Sequence, residues 1–334
     1  MEKRITELDA IRGFALLGIM LVNILGLLYI EIPDLHTMSA SYQRFLYLFV
    51  EGRFYTIFSF LFGVGFYIFL TRAKTKGQNG TVLFLRRMAV LFVFGMIHQK
   101  FHPGEALAVY AVCGLLVLPF SKANRHVNLV IALGFLTMFA MTGVKILLPL
   151  PLILLGFACG QYRVFENLAN KKGLYLFTSI MAILSAVAFY MQYKAIPINP
   201  FSNMFFVNED GSIDSVGDFL KIGITIGPIL SACYIGILLI VMQTKAGTYL
   251  LTPLTYYGRM ALTNYVGQTA FILLIGPFFP HLTYMDTLFV CLSIFAVQIV
   301  FSMIWLRHFK MGPLEWVWRI ITYWRLLPLR KAAV

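Results

Sequence analysis

The stretch that decides the fold is FALLGIMLVNILGLLYI, residues 14–30, which contains no charged side chain. A helix needs about 17–25 mainly apolar residues to cross the hydrocarbon of a bilayer. Comparable stretches recur at 54–70, 174–193 and 222–242. The whole chain is 60% hydrophobic and only 12% charged, whereas a water-soluble domain is about a quarter charged. The sequence therefore predicts an all-α integral membrane protein.

Charge divides the gaps between the apolar segments into two kinds. Most of the 27 basic residues fall in alternate gaps, and most of the 14 acids fall in the others. Basic loops are retained in the cytoplasm, so we expect a multi-pass plasma-membrane protein with both termini cytoplasmic. About ten transmembrane helices are predicted, at 12–30, 54–71, 83–99, 106–120, 128–145, 147–161, 174–193, 219–242, 261–279 and 285–305.

The segment 128–161 leaves the span count open, because its long apolar run is interrupted only by Gly143, Lys145, Pro149 and Pro151. One tilted span here would reverse the sidedness of every later loop. Two short spans joined by a tight turn keep the later basic loops on the inner side. We therefore predict two.

The C-terminal region differs from the rest of the chain. All four tryptophans lie between 305 and 324, among basic residues, a mixture typical of the membrane–water interface. We expect two parts: a polytopic domain over 1–311, and an amphipathic interfacial helix with a basic tail over 312–334. The net charge of +13 is better explained by anionic lipids than by nucleic acid, because the cations are spread over short loops.

Four groups of polar residues require an explanation, because charged and amide groups are costly at membrane depth. The first lies on the first helix. Asp9 and Arg12 are three residues apart and can pair, and Asn23 follows Arg12 by about three helical turns, on the same face. This pattern fits an anionic ligand that enters from the cytoplasm. The alternative is that the Asp9–Arg12 pair only anchors the end of the helix.

The second group is Glu51, Arg53 and Ser59, where Arg53 is one of few cations predicted on the outer side; a binding role and a packing role are equally compatible with it. The third group, around His98, His102, Glu105 and Tyr110, is the best catalytic candidate, with the alternative that a histidine at the interface is structural. A histidine tuned by a carboxylate is the usual general base near neutral pH. His36, in the preceding outer loop, is a rival base. No metal site is predicted, because helical HExxH spacing is absent.

The fourth group is Arg259, Asn264 and Gln268. The two amides are four residues apart and share a helix face, while Arg259 lies at the inner N-terminal end, where the helix dipole favours an anion. These residues fit a phosphate or pantetheine contact. The alternative is that the amides only join neighbouring helices.

Several of these motifs resemble the YeiB-like family, known as domain of unknown function 418. The resemblance extends along most of the chain, and the order of the motifs is the same. It is carried by LDAIRGFALLGI (8–19), GRFYTIFSFLFG (52–63), GMIH (95–98), GRMALTNY (258–265) and WLRHFKMGPLEW (305–316). The sequence departs from the family at Glu105, where Asp is usual, and at Arg53, where Lys is common.

The family looks like a branch of the transmembrane acyltransferases, together with acyltransferase family 3 and heparan-glucosaminide N-acetyltransferase. The resemblance implies that an acyl group from cytosolic acyl-CoA is transferred to an extracytoplasmic hydroxyl or amine acceptor. In this hypothesis Arg12 and Arg259 hold the phosphates, and the pantetheine arm passes Asn23, Asn264 and Gln268. His98, supported by Glu105, deprotonates the acceptor. Further candidates for donor binding are Asp9, Arg53, Ser59 and Tyr110. Expected partners are membrane lipids, acyl-CoA, the acceptor and a second copy of the chain in a homodimer.

Two other functions remain open at this point. A transporter or flippase of a small anionic or lipid-linked solute would use the same polar core without covalent chemistry. A structural or signalling protein is less compatible with so many intramembrane polar groups.

Overall fold

The computed structural model describes residues 4–168, 170–197 and 215–331. Within these ranges the regular structure is helical, apart from one isolated backbone bridge between Phe309 and Arg330. The α-helices are α1 (Thr6–Leu27), α2 (Met38–Phe45), α3 (Arg53–Thr75), α4 (Gly80–His98), α5 (Leu107–Val117), α6 (Arg125–Thr142), α7 (Pro149–Gln161), α8 (Lys171–Lys194), α9 (Ser215–Met242), α10 (Lys245–Arg259), α11 (Ala261–Ile275), α12 (Tyr284–His308) and α13 (Pro313–Tyr323).

The prediction of an all-α membrane-type protein is confirmed. Among the described residues, eight helical segments are long and apolar enough to cross a membrane. Two shorter apolar helices, Leu107–Lys122 and Lys145–Gln161, coincide with the predicted spans 106–120 and 147–161. The structure therefore contains a helix at each of the ten predicted positions.

The segment 128–161 forms two helices, as predicted. Helix α6 ends at Gly143, which adopts φ +71°, a left-handed conformation that glycine tolerates at little cost. A short 3-10 turn over Lys145–Leu147 follows. Helix α7 then begins with Pro149 in its first turn, where the missing N–H of proline leaves no helical bond unmade.

Two helical regions were not predicted. Helix α2 continues into a π-helical turn, Leu46–Val50, before α3 begins. Helix α10 occupies the stretch between the predicted spans 219–242 and 261–279, where no helix was predicted. It packs across α1 so closely that a methyl group on Gly258 would overlap the backbone oxygen of Asp9. Tertiary packing thus stabilises a helix that a propensity argument does not identify.

Helix α13 docks on the bundle, since Trp318 Nε1 donates a hydrogen bond of 2.9 Å to the carbonyl oxygen of Arg87 on α4. The Arg87 guanidinium carbon lies 3.6 Å from the centroid of the Trp318 ring, a cation–π contact. The Glu315 carboxylate accepts hydrogen bonds from the backbone N–H groups of Leu262 and Thr263, at the start of α11. Helix α13 is therefore packed against α4 and α11 as part of the helix bundle.

The two ends of the bundle can be distinguished along α1. Arg4 and Lys310 line one cavity, so the described beginning of the chain and its C-terminal region lie at the same end, here called the terminal end. Asn23 lines cavities toward the other end, called the distal end. Asp9 and Asn23 are 14 residues apart on α1, which corresponds to ~21 Å along its axis.

Candidate functional site

A large cavity of about 510 Å³ opens at the terminal end; we call it the basic cavity. Residues of α1, α3, α4, α5, α10, α11 and α13 line it. Its cationic side chains are Arg4, Arg12, Arg72, Lys76, Arg87, Arg259, Lys310 and Arg319. The carboxylates among its lining residues are Asp9 and Glu315. The excess of cations makes this cavity suitable for a ligand with several negative charges.

Both carboxylates of the basic cavity already have partners in the protein. Asp9 is 2% exposed and bonds Arg4 at 2.5 Å and Arg12 at 3.0 Å. Glu315 bonds the first turn of α11 and the Thr263 hydroxyl, and its burial raises the pKa of its carboxyl. Burial lowers the pKa of Arg319 in the same wall. Desolvation of cations beside a cavity favours an anion that supplies the missing charge.

Two smaller cavities lie toward the distal end. The His102 cavity, of about 270 Å³, is lined by His102, Arg53, Gln192 and residues of α9. The Glu105 cavity, of about 300 Å³, is lined by Glu105, Tyr55 and other residues that include Phe58, Leu107, Tyr110 and Tyr265. The two cavities share a further set of lining residues, namely Val22, Asn23, Glu51, Pro103, Gly104 and Lys145. They are therefore neighbouring compartments of one polar region.

The basic cavity and the Glu105 cavity meet at a common wall. The residues that line both cavities are Phe58, Leu107, Tyr110 and Tyr265, which we call the dividing wall. Tyr110 is 2% exposed, and its hydroxyl lies 3.1 Å from the hydroxyl of Ser59. The Tyr110 ring stacks on Phe58 at a centroid distance of 5.9 Å. A single layer of side chains thus separates the terminal cavity from the distal one.

His98 and Glu105 form a buried pair next to this wall. Nδ1 of His98 bonds Oε2 of Glu105, and Oε1 of Glu105 accepts a hydrogen bond from the backbone N–H of Leu107. The other ring nitrogen, Nε2, lies 2.9 Å from Oγ1 of Thr269 on α11. The rings of Tyr265 and His98 form a T-shaped pair at a centroid distance of 5.2 Å. Glu105 lines the cavity named after it, and His98 bonds Glu105 without lining that cavity itself.

His102 differs from His98 in its bonding. It is 4% exposed, yet neither ring nitrogen has a hydrogen-bond partner among the described residues. Its backbone N–H donates to the carbonyl of His98 at 2.9 Å, which fixes the turn between α4 and α5. Burial and the neighbouring His98 lower the pKa of His102 to about 4. At neutral pH it is therefore an uncharged imidazole that faces a cavity.

The cations of the distal region are held at the start of α3. The Arg53 guanidinium donates to the Glu51 carbonyl at 2.5 Å and to the amide oxygen of Gln192. Its Nε has no hydrogen-bond partner among the described residues. Lys145 Nζ lies 2.5 Å from Oε1 of Glu51. Within the His102 cavity, Arg53 and Lys145 together exceed the charge of Glu51, so this cavity is also suitable for an anion.

Most residues singled out from the sequence line a cavity or contact one that does. Asp9, Arg12 and Arg259 lie in the basic cavity, and Tyr110 in the dividing wall bonds Ser59. Asn23, Arg53 and Glu105 lie in the distal cavities. Arg12 and Asn23 therefore lie on one helix but line different cavities.

Asn264 and Gln268 are located elsewhere. The Asn264 amide donates to the Tyr257 carbonyl at 2.8 Å and to Ser302 Oγ at 3.0 Å. Gln268 donates to the Leu16 carbonyl and to the Tyr257 hydroxyl. Neither amide is among the residues that line the basic, His102 or Glu105 cavities. This arrangement favours the alternative that they join helices.

His36, the rival base, lies in the exposed loop between α1 and α2, with φ +62°. It is not among the lining residues of the three cavities either. No group of three or more His, Cys, Asp or Glu side chains within the described ranges is arranged to hold a metal ion.

Several site residues were not identified from the sequence. They are Arg72, Lys76, Arg87 and Arg319 in the basic cavity, Tyr265 in the wall, Thr269 beside His98, and Lys145 and Gln192 in the distal region. Thr269 gave one usable signal, because it lies one helical turn after Tyr265, just beyond the motif that ends there. The others come from separate helices, and only packing brings them together.

The sequence is similar to three bacterial proteins over nearly its whole length. It is 53% identical to the uncharacterized 39.9 kDa protein in amylase 3′ region of Bacillus acidopullulyticus, a match that covers 98% of this chain and 96% of that protein. It is 27% identical to the uncharacterized protein YxaH of Bacillus subtilis, covering 99% and 97%. It is 24% identical to the uncharacterized protein YeiB of Escherichia coli, covering 96% and 97%.

The profile of the family described as protein of unknown function (DUF418) matches residues 159–325. This range contains α8 to α13, and with them the site residues Arg259, Thr269 and Glu315. The remaining walls, from α1 to α7, are covered by the full-length similarity to the Bacillus protein. On both grounds the chain belongs to the YeiB-like DUF418 family.

Proposed function

We propose that this protein is a membrane acyltransferase that moves an acyl group from acyl-CoA to a hydroxyl or amine acceptor on the other side of the membrane. The observation that supports this proposal best is the dividing wall, because the same four residues line a basic cavity at one end and the Glu105 cavity at the other. A donor and an acceptor bound in these cavities would meet across one layer of side chains.

The basic cavity is the proposed donor site. Coenzyme A carries several phosphate charges, and guanidinium groups bind phosphate with charge-assisted hydrogen bonds. Arg12, Lys76 and Arg259 are candidates for these contacts, because each lines the cavity. With the terminal end in the cytoplasm, as the charge pattern of the loops predicts, the cavity would open toward cytosolic acyl-CoA.

The proposed transfer occurs at the wall. The acceptor oxygen or nitrogen attacks the thioester carbonyl, a C–O or C–N bond forms, and the C–S bond breaks. The acceptor proton passes to the Glu105–His98 pair and then to the departing CoA thiolate. The backbone bond from Leu107 to Glu105 holds the carboxylate beside the wall, and the Tyr110 hydroxyl, also in the wall, can donate a hydrogen bond to the developing oxyanion.

The experiment is acyl-CoA binding by the purified protein in detergent or nanodiscs. The proposal predicts saturable binding of acetyl-CoA or a longer acyl-CoA, weakened by Lys76→Gln. A folded protein that binds no acyl-CoA at any accessible concentration would refute it.

A transporter of a small anion is the second candidate, and the paired cavities favour it as well, since a thin wall between two vestibules is also what alternating access requires. A reconstituted-vesicle assay separates the two functions. An acyltransferase releases free CoA thiol in proportion to turnover. A transporter moves the labelled solute across the bilayer and releases no thiol.

A further inference from the structure

The His102 cavity contains polar groups that the packing of the protein leaves unsatisfied. Both ring nitrogens of His102 and the Nε of Arg53 lack hydrogen-bond partners among the described residues, although the two side chains are 4% and 1% exposed. Buried polar groups are almost always bonded in native proteins. Both side chains line one cavity, and a ligand in that cavity would satisfy these atoms.

The charges around the cavity indicate the sign of this ligand. Arg53 is held against a backbone carbonyl and the neutral amide of Gln192, neither of which cancels its charge. Lys145 pairs with Glu51. An anion at this position would complete the bonding of Arg53 and compete with Glu51 for Lys145.

His102 indicates a second property of the ligand. An uncharged imidazole has one nitrogen that donates and one that accepts. A hydroxyl group can bond either nitrogen, because it is both donor and acceptor. Gly104, whose added Cβ would lie 3.5 Å from Nε2 of His102, leaves room on this side of the ring.

The size of the cavity limits the ligand to a small molecule or headgroup. Pockets for drug-sized ligands measure about 300–1,000 Å³, and this cavity measures about 270 Å³. A coenzyme A molecule is too large for it. The lining shared with the Glu105 cavity would direct the hydroxyl of a bound molecule toward the dividing wall.

We propose that the His102 cavity binds the acceptor, a hydroxyl-bearing phosphoester whose anion contacts Arg53 and Lys145 and whose hydroxyl bonds His102. The role of the bound molecule as acceptor rests on the proposed function, whereas the binding site itself does not depend on acyl transfer. The same chemistry occurs in a soluble phosphate monoester and in a lipid headgroup, so both sources need testing.

The test measures binding of two probes to the full-length protein. The soluble probe is sn-glycerol 3-phosphate, titrated into protein in detergent by calorimetry, with glycerol as the uncharged comparison. The lipid probe is phosphatidylglycerol in phosphatidylcholine nanodiscs, with retention measured by native mass spectrometry. The variants are His102→Gln and Lys145→Met. Their matched controls are His36→Gln and Lys100→Met, which alter exposed residues outside the cavity.

We expect saturable binding of at least one phosphoester probe and none of glycerol. Both cavity variants should weaken binding at least tenfold, and both controls should leave it unchanged. Binding of the lipid probe alone would assign the site to a headgroup. Each variant is first checked for a normal thermal unfolding midpoint, and a cavity variant that unfolds is replaced by His102→Asn or Lys145→Gln.

The proposal is overturned if neither probe binds the folded protein, or if His102→Gln binds as well as the wild type. Acyl-CoA binding, measured on the same samples, separates this result from the proposed function. Probe binding that depends on His102, without acyl-CoA binding, would retain the subsite and remove the acyltransferase.

Discussion

Nε2 of His98 lies 2.9 Å from Oγ1 of Thr269, a hydrogen bond that joins α4 to α11 across 171 residues of sequence. Other helical hydroxyls of this chain, such as Thr252 and Thr322, donate to the carbonyl four residues earlier. The Thr269 hydroxyl instead bonds the imidazole of His98. This contact and the Glu105 carboxylate together fix the ring of His98 from both sides.

Replacing Thr269 with valine keeps the shape of the side chain and removes the hydroxyl. Because one nitrogen of a buried imidazole then lacks its partner, we expect the free energy of unfolding to fall by about 1–3 kcal/mol. Denaturation of the detergent-solubilised protein checks the prediction, with Thr252→Val as the matched control. Equal losses in the two variants would show that the His98 contact has no special role.

Replacing Lys76 with glutamine removes one cation from the basic cavity. We expect acyl-CoA affinity to fall on the order of threefold to tenfold, with a weaker dependence on salt, because one charge-assisted contact is lost. Lys74→Gln is the control, since Lys74 lies two residues earlier, in the last turn of α3, but is not among the lining residues. Identical affinities of the two variants at low salt would contradict the assignment of the phosphate site.

His102 predicts a pH dependence of stability. Its pKa of about 4 in the folded protein lies below the ordinary value of about 6.5, so between these values the unfolded chain binds more protons than the folded one. Stability is therefore fully present above pH ~6.5 and is lost as the pH falls toward 4. Thermal unfolding midpoints across this range check the prediction.

The His102→Gln variant should lose part of this slope, whereas His36→Gln, which alters an exposed histidine, should retain it. The groups around His102 include His98, Arg53, Lys145 and Glu51. If the unfolding midpoint of His102→Gln depends on pH as steeply as that of the wild type, the acid sensitivity belongs to one of these neighbouring groups.

The close crossing of α1 and α10 predicts a large difference between two glycine substitutions. Gly258→Ala places a methyl group against the backbone of Asp9, and such overpacking typically costs about 1–3 kcal/mol or more. Gly134→Ala on α6 meets open space and should stabilise the helix by up to about 1 kcal/mol. Unfolding midpoints that move in the same direction would contradict the described packing.

Cysteine labelling tests the orientation. In a background without native cysteines, Glu31→Cys at the distal end and Lys76→Cys at the terminal end are treated with a membrane-impermeant maleimide in intact cells. We expect labelling at position 31 and protection at position 76 until the cells are permeabilised. The opposite pattern would place the basic cavity outside and remove the proposed access to cytosolic acyl-CoA.

Much of the helical layout could be predicted from the sequence, because the length of an apolar run is a local property. The helices α4, α6, α8 and α12 coincide with predicted spans within about three residues. Helix α10 could not be predicted in this way, because its stability depends on the contact of Gly258 with α1. The docking of α13 was also not predicted beyond its interfacial character, since the Trp318–Arg87 contact joins residues 231 positions apart.

The candidate site could be predicted only in part. Periodicity indicated that Arg12 and Asn23 share a face of α1, and sequence proximity indicated that His98 and Glu105 meet. Periodicity also placed Asn264 and Gln268 on one face of α11, but it does not reveal which neighbour that face contacts. In the structure the neighbours are Tyr257, Leu16 and Ser302, which accept hydrogen bonds from the two amide NH2 groups within the helix bundle.

The sequence by itself determined that this chain is an all-helical membrane-type protein with polar residues at membrane depth, because hydropathy and helical periodicity are properties of neighbouring residues in the sequence. Only the tertiary structure decided which of those residues line a cavity and which bond one another. Each cavity wall combines side chains from several helices, and the crossings of those helices depend on side-chain packing between distant segments.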